Sequence, residues 1–201
     1  MTSPPADSSD LRAVVLVPLK AFDVAKERLA PVLDPAERAR LARSMADIVV
    51  DAAVPLPVVI VTDDAEVASW ADRRGARLIW RPARGLDDAV QHSVASLATE
   101  GIERVVVAHG DLPRAHHLAA VAEFDGATLV PDRHDDGTNV CCVPATAGFR
   151  FAYGPGSFAR HRTEAARLDL PTRIMRDAAL GWDVDRPEDL EGLRQFLIAE
   201  Y

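Results

Sequence analysis

Lysine is almost absent from this chain. Of 23 side chains that are Lys or Arg, only Lys20 and Lys26 are lysines, and both stand in VPLKAFDVAKERLAP, just behind the first apolar run. Cysteine is equally scarce: Cys141 and Cys142 are adjacent, a spacing that rarely closes a disulfide. With no histidine at ligand spacing they make no zinc site either, and they read as small buried strand residues in a reducing compartment. No apolar run approaches the roughly 18 residues that cross a bilayer, which excludes a membrane as partner. The first ten residues, MTSPPADSSD, have neither a basic start nor an apolar core, so they describe a disordered tail rather than a secretory signal. A formal net charge of −8 argues against a nucleic-acid partner. What remains is one soluble, cytoplasmic domain over residues 11–201, preceded by a tail over 1–10 and long enough to bury a sizeable core.

The apolar pattern alternates between short β-branched runs and helical stretches. RAVVLVPL (12–19) reads as a buried strand, followed by the loop with both lysines. Asp34, Pro35 and Glu37 supply an N-cap, a proline at N1 and an acid at N3, the opening of a helix whose apolar face is Leu41, Met45, Ile48, Val49 and Ala52. PVVIVT (57–62), a short helix that Gly75 ends, ARLIW (76–80) and a helix that Gly101 closes come next. ERVVVAHGDLP (103–113) is a strand running into an acidic turn. A helix through HHLAAVAEF and the strand ATLVP complete a β-α-β-α-β-α-β-α-β order. That order implies an α/β domain with a mostly parallel twisted sheet flanked by helices on both faces. Beyond it, PDRHDDGTNVCCVPA and GFRFAYGPGSF read as a loop, a strand and another loop, ARHRTEAARL as a helix, GWDVD as a strand and PEDLEGLRQFLIAEY as an amphipathic closing helix.

In open parallel sheets, ligands bind beyond the carboxyl ends of the strands, and there the chemically interesting residues gather. The lysine loop offers mobile charges on Lys20 and Lys26 and a guanidinium fork on Arg28, suited to phosphates, although no GxxxxGK[ST] sequence is present. Asp111 ends the fourth strand within HGDLP, where it is placed to hold Mg²⁺ or, alternatively, to start the next helix as a turn residue. Asp183 and Asp185 alternate along WDVD and so face one side, where they repel each other unless a cation lies between them. The blander reading is an exposed strand end with Asp185 starting the PEDL helix. Thr138, Gly154 and Ser157 sit in DGTN and YGPGS, turns able to seat a second phosphate or to be ordinary loops. His116 and His117 read as helix-surface residues. No Ser/His/Asp or Cys/His set suggests a covalent nucleophile.

Taken together, VPLKAFDVAKERL, the GLD segment at 85–87, GDLP, DGTN, FAYGPGSF with ARH, and DVD with RPEDL resemble the guanylyltransferases of coenzyme F(420) biosynthesis. That family includes enzymes for 2-phospho-L-lactate and for phosphoenolpyruvate. The resemblance spans roughly Arg12 to Leu197 and implies a glycosyltransferase-A-like nucleotidyltransferase fold. It implies transfer of GMP from GTP to the phosphate of a small phosphorylated carboxylic acid, with release of pyrophosphate and with Mg²⁺ as cofactor. On that resemblance Asp111, Asp183 and Asp185 would hold the metal, and Lys20, Lys26 and Arg28 would face the GTP phosphates. Thr138, Gly154 and Ser157 would bind the acid, while Pro18, Gly85, Leu86 and Asp87 would border the nucleotide. Asp87 stands where an Asn is expected, and Arg186 stands where related enzymes often have Thr, which predicts a poorer cap for the last helix. A phosphate monoester, with its second pKa near roughly 6, is largely a dianion at neutral pH and needs no general base, in keeping with the missing nucleophile set. Phosphoenolpyruvate is the expected acceptor, 2-phospho-L-lactate the next, and hand-over of product to the following deazaflavin-pathway enzyme is expected. The competing readings are another transferase of the same fold and a catalytically silent nucleotide-binding subunit.

Overall fold

The computed structural model describes residues 12–82 and 85–191. The expected tail over 1–10 and the closing helix beyond 191 lie outside the described residues. Seven strands form one sheet: β1 (Ala13–Pro18), β2 (Val58–Thr62), β3 (Arg77–Trp80), β4 (Arg104–Ala108), β5 (Ala127–Pro131), β6 (Thr138–Pro144) and β7 (Thr172–Ile174). Their order is β3-β2-β1-β4-β6-β5-β7, and β6 alone runs antiparallel to its neighbours. The helices are α1 (Pro35–Ala52), α2 (Ala65–Arg73), α3 (Leu86–Thr99) and α4 (Ser157–Arg167). No helix among the described residues is long and apolar enough to cross a membrane.

The strand period of two divides β1 between two cores. Val15 and Val17 pack with α1 and α2 through Ala46, Val49, Val67 and Trp70. Val14 and Leu16 point the other way, into a cluster with Val90 and Leu97 of α3 and Phe158 and Ala165 of α4. Burial on both faces is what a nearly continuous apolar strand requires. The α1 start is as expected: the Asp34 carboxylate accepts from the Glu37 N–H, and the Glu37 carboxylate accepts from the Asp34 N–H, each at 2.8 Å. Gly75 and Gly101 adopt φ of 67° and 81° just past α2 and α3.

Four expectations change. The buried face of α1 is Ala42, Met45, Ala46, Val49 and Val50, because alanines let the helix lie close on the sheet, while Leu41 turns toward a small cluster with Leu29 and Val184. HHLAAVAEF contributes only a 3-10 turn over Leu118–Ala122, entered through a left-handed His117 without a side-chain cap. GWDVD is not a strand; it crosses the sheet end as irregular chain, and Val184 N–H donates to the Asp111 carbonyl at 3.3 Å. The strand that does follow α4 is the three-residue β7, too short to show an alternating pattern.

The chain winds from β1 through β2 to β3 toward one edge, then places β4 on the other side of β1. The crevice between the carboxyl ends of β1 and β4 is therefore the switch point at which such sheets bind ligands. Because β6 is reversed, its first residues, Thr138 and Asn139, arrive at the same rim, where His109 N–H donates to the Asn139 carbonyl at 3.0 Å.

Candidate active site

A cleft of about 800 Å³ opens at this switch point. One wall is the lysine loop, pinned by Phe22, which is buried edge-on against Trp70 with ring centroids 5.6 Å apart, and by the fully buried Leu29. The floor is the His109-Gly110-Asp111 turn. Leu19 packs closely over Gly110, where a Cβ would lie 2.3 Å from its methyl group and push that side chain aside. The two lysines have different surroundings. Lys20 is exposed in the cleft and has no partner among the described residues. Lys26, in a left-handed conformation with φ of 57°, sends its ammonium inward to Asp111 Oδ2 at 2.5 Å and Asp185 Oδ1 at 2.9 Å. Its side chain is 10 % exposed. Arg28 lies on the outside, 3.5 Å from Asp185 Oδ2.

Burial works against the Lys26 charge, but Asp111 and Asp185 outweigh it and hold the pKa above the ordinary lysine value. Burial likewise opposes ionisation of Asp111, and the charges on Lys26 and His109 overcome it, so that carboxyl lies below its ordinary range. Asp183 goes the other way: burial, then repulsion from Asp111 and Asp185, raise it. Asp183 Oδ1 accepts from Asn139 Nδ2 at 3.4 Å. Two carboxylates thus share one ammonium, Asp183 stands beside them without reaching it, and the buried Oδ1 of Asp111 has no hydrogen-bond partner among the described residues.

The Trp182–Arg186 stretch has no ladder to hold it, and two residues that sequence reasoning missed do so instead. Asp189 Oδ2 accepts from the N–H groups of Asp185 and Arg186 at 2.7 and 2.6 Å. Arg133 pairs with Asp189, donates to the Asp183 carbonyl at 3.1 Å and lies over the Trp182 ring at 4.5 Å. The poor cap expected from Arg186 is thereby corrected: the acid three residues on supplies the cap from inside the helix. That spacing was visible in RPED, whereas Arg133 carries no local signal.

At the far end, Thr138 is buried, with its hydroxyl 3.0 Å from His161 Nδ1. Ala152 N–H donates to His161 Nε2 at 3.0 Å, so Nε2 is unprotonated and Nδ1–H donates to Thr138. The Thr138 hydroxyl keeps its own proton to donate. Ser157 begins α4, and Gly154 lines the cleft with φ of 88°. Pro18, Gly85 and Leu86 border the same cleft. Asp87, Thr138, Ser157 and Asp183 do not line it. Asp87 instead accepts from Tyr153 N–H at 2.7 Å, tying the start of α3 to the glycine loop. His116 and His117 are exposed, as their reading as surface residues requires, although on a 3-10 turn's entry rather than a helix.

Residues 13–196 match the family model described as "Guanylyl transferase CofC like". The chain is 34% identical over 192 residues to a phosphoenolpyruvate guanylyltransferase of Sphaerobacter thermophilus, covering 91% of this chain and 93% of that protein. It is 31% identical to one of Chloroflexus aggregans, covering 92% and 97%. Among solved structures, a putative nucleotide-diphospho-sugar transferase from Desulfovibrio desulfuricans G20 superposes with a TM-score of 0.77 at 17% identity, over 92% of this chain and 87% of that one. A 4-diphosphocytidyl-2C-methyl-D-erythritol synthase superposes with a TM-score of 0.65 at 11% identity, over 92% and 98%. At such identities these structures speak for the fold alone, a single α/β domain of the nucleotide-diphospho-sugar transferase kind.

Proposed function

Since the chain belongs to the family of CofC-like guanylyl transferases, we propose that it transfers GMP from GTP to the phosphate of a small phosphorylated carboxylic acid and releases pyrophosphate. Phosphoenolpyruvate, the acid in the relatives' name, is the acceptor this reading takes first, and 2-phospho-L-lactate the second. In this reading the reaction belongs to coenzyme F(420) biosynthesis, and the diphosphate product passes to the deazaflavin enzyme that follows. The observation that carries the proposal is the buried Lys26 ammonium clamped between Asp111 and Asp185 at the head of a cleft into which the same loop also brings the exposed Lys20.

The residues present fit a magnesium ion. Asp111 has a buried oxygen without a partner among the described residues, and Asp183 is driven toward protonation by burial and by its acidic neighbours. Among the described residues no three His, Cys, Asp or Glu side chains converge on a metal position. Mg²⁺ asks for less, one or two carboxylates completed by water and substrate phosphates. In this reading those carboxylates would come from among Asp111, Asp183 and Asp185. When bound, Mg²⁺ would neutralise charge between the two polyanions and orient the acceptor oxygen.

The protein's own groups do the rest. Lys20, exposed and without a partner among the described residues, is the charge placed to meet the triphosphate and to follow the departing pyrophosphate. Lys26 differs from the mobile charge expected of it, because two carboxylates anchor it; its role here is to set the position of Asp111 and Asp185 and to keep Asp111 ionised. Thr138, Gly154 and Ser157 bind the acid in this reading. No base is needed, since the acceptor phosphate is already ionised.

The test is pyrophosphate release from GTP and Mg²⁺ with phosphoenolpyruvate, 2-phospho-L-lactate and 3-phosphoglycerate in turn. Each reaction is repeated with the next pathway enzyme and its deazaflavin acceptor to draw off product. Release with phosphoenolpyruvate alone is expected. Folded, GTP-binding protein that releases nothing with any acid would refute the proposal.

A further inference from the structure

Arg160, in the first turn of α4, directs its whole guanidinium at the backbone of the loop before the helix. Nε donates to the Ala152 carbonyl at 3.2 Å and Nη1 to the Pro155 carbonyl at 2.6 Å. Nη2 reaches the carbonyls of Ala152, Tyr153 and Gly154 at 3.0, 2.9 and 3.3 Å. Four consecutive carbonyls therefore turn toward one side chain. The only cis peptide bond among the described residues is Val54-Pro55, so every peptide of this loop is trans. In a trans peptide the C=O of one residue and the N–H of the next point in opposite directions. The N–H groups of Tyr153, Gly154 and Gly156 must then face away from Arg160.

Two of those three are already taken. Tyr153 N–H donates to Asp87, and Gly156 N–H donates to Asp136 at 3.0 Å. Ala152 N–H goes to His161, Ser157 N–H goes to the Gly154 carbonyl, and Pro155 has none. Among the described residues one amide of the loop has no protein partner, that of Gly154, the loop residue that lines the cleft. Three residues on, at the start of α4, the buried Ser157 has a hydroxyl with no partner among the described residues. A free amide and a hydroxyl, backed by a guanidinium that polarises the intervening peptides, are donors suited to an anionic oxygen.

Resting on the reading that this loop receives the phosphorylated acid, we propose that Arg160 is a positioning residue. Its fork fixes the peptide planes of residues 152–156 so that the Gly154 N–H is presented to the acceptor's anionic group. The guanidinium itself touches no reacting atom. Five donors in a rigid plane suit four carbonyls; a lysine ammonium brings the charge but not the span.

Two variants separate geometry from charge. Arg160→Met and Arg160→Lys should each raise KM for phosphoenolpyruvate about tenfold or more, with KM for GTP and kcat changed by less than about threefold. In the ligand-free enzyme, amide hydrogen exchange over residues 152–157 should accelerate about tenfold or more in both variants, with the unfolding temperature unchanged. A lysine variant with wild-type KM would show that charge alone suffices and overturn the proposal. So would unaltered exchange in the loop, or a GTP KM that rises in step with that of the acid. Should the wild type use no phosphorylated acid, the acceptor reading fails on its own, and the exchange rates still decide whether Arg160 holds the loop.

Discussion

His161 offers a prediction whose size comes from the structure. The ring is fully buried, accepts from Ala152 N–H, donates to Thr138, and packs among Phe149, Phe151 and Tyr153. Burial, and then the charges of Arg160 and His109, depress its pKa from 6.5 to about 4, with Glu164 opposing weakly. The folded-state value is below the unfolded one, so protons bind more tightly to the unfolded chain. The stabilisation is complete above pH 6.5, is lost as pH falls, and is exhausted below about 4. Each pKa unit corresponds to 1.36 kcal/mol, so the total is about 3 kcal/mol, of which about 2 kcal/mol is gone by about pH 5. The assay is urea unfolding of the wild type and of His161→Gln, which offers an amide acceptor and donor but does not titrate. The wild type's advantage should shrink by about 2 kcal/mol between about pH 7.5 and about pH 5. Carboxylates such as Asp111 and Asp177 titrate in both proteins and cancel in the comparison. A constant gap across that range would refute the assignment of a buried, neutral His161.

The two lysines should separate in opposite ways. Lys20→Ala should cost turnover at least about tenfold, roughly 1.4 kcal/mol of barrier, and leave unfolding unchanged; full activity would remove Lys20 from the mechanism. Lys26→Met leaves Asp111 and Asp185 without their cation and should cost about 3 kcal/mol of stability. Mg²⁺ should then raise its unfolding temperature more than it raises that of the wild type, and equal shifts would contradict a shared metal and ammonium position. Asp183 has a raised folded-state pKa, so its destabilising charge is present at neutral pH and absent in acid. Asp183→Asn should therefore be more stable than the wild type in chelator at pH 7, and not at pH 3, while losing Mg²⁺-dependent turnover. Asp189→Ala strands the N–H groups of Asp185 and Arg186, and should cost about 2 kcal/mol and raise the Mg²⁺ concentration for half-activity; an unchanged metal requirement would make Asp189 a cap and no more.

Much of the scaffold could be read locally. The apolar runs over 13–18, 58–62 and 104–108 could be little else than buried strands, and Asp34-Pro35 with Glu37 starts a helix by its own hydrogen bonds. The expectation that Asp111 and Asp185 share a site with the lysine loop followed from strand ends and acidic turns, and the cleft joins them. Where reading failed, the signal was ambiguous or missing. WDVD alternates like a strand yet lies beyond the sheet edge, held by side chains instead of a ladder. Arg160 has carbonyls as partners, and every residue carries a carbonyl, while Arg133 meets Asp189 56 residues further on, so no local residue pattern marks either.

By itself, the sequence determined most of the strands and helices, where the first helix begins, and that basic charges cluster after the first strand. These follow from short-range backbone preferences and the periodicity of apolar side chains, which act over a few residues. Tertiary structure alone decided that Lys26 would be locked between Asp111, 85 residues away, and Asp185, 159 residues away, while Lys20 stayed exposed. Strand order and one reversed strand bring those positions together, and Coulomb attraction depends on distance through space, not along the chain.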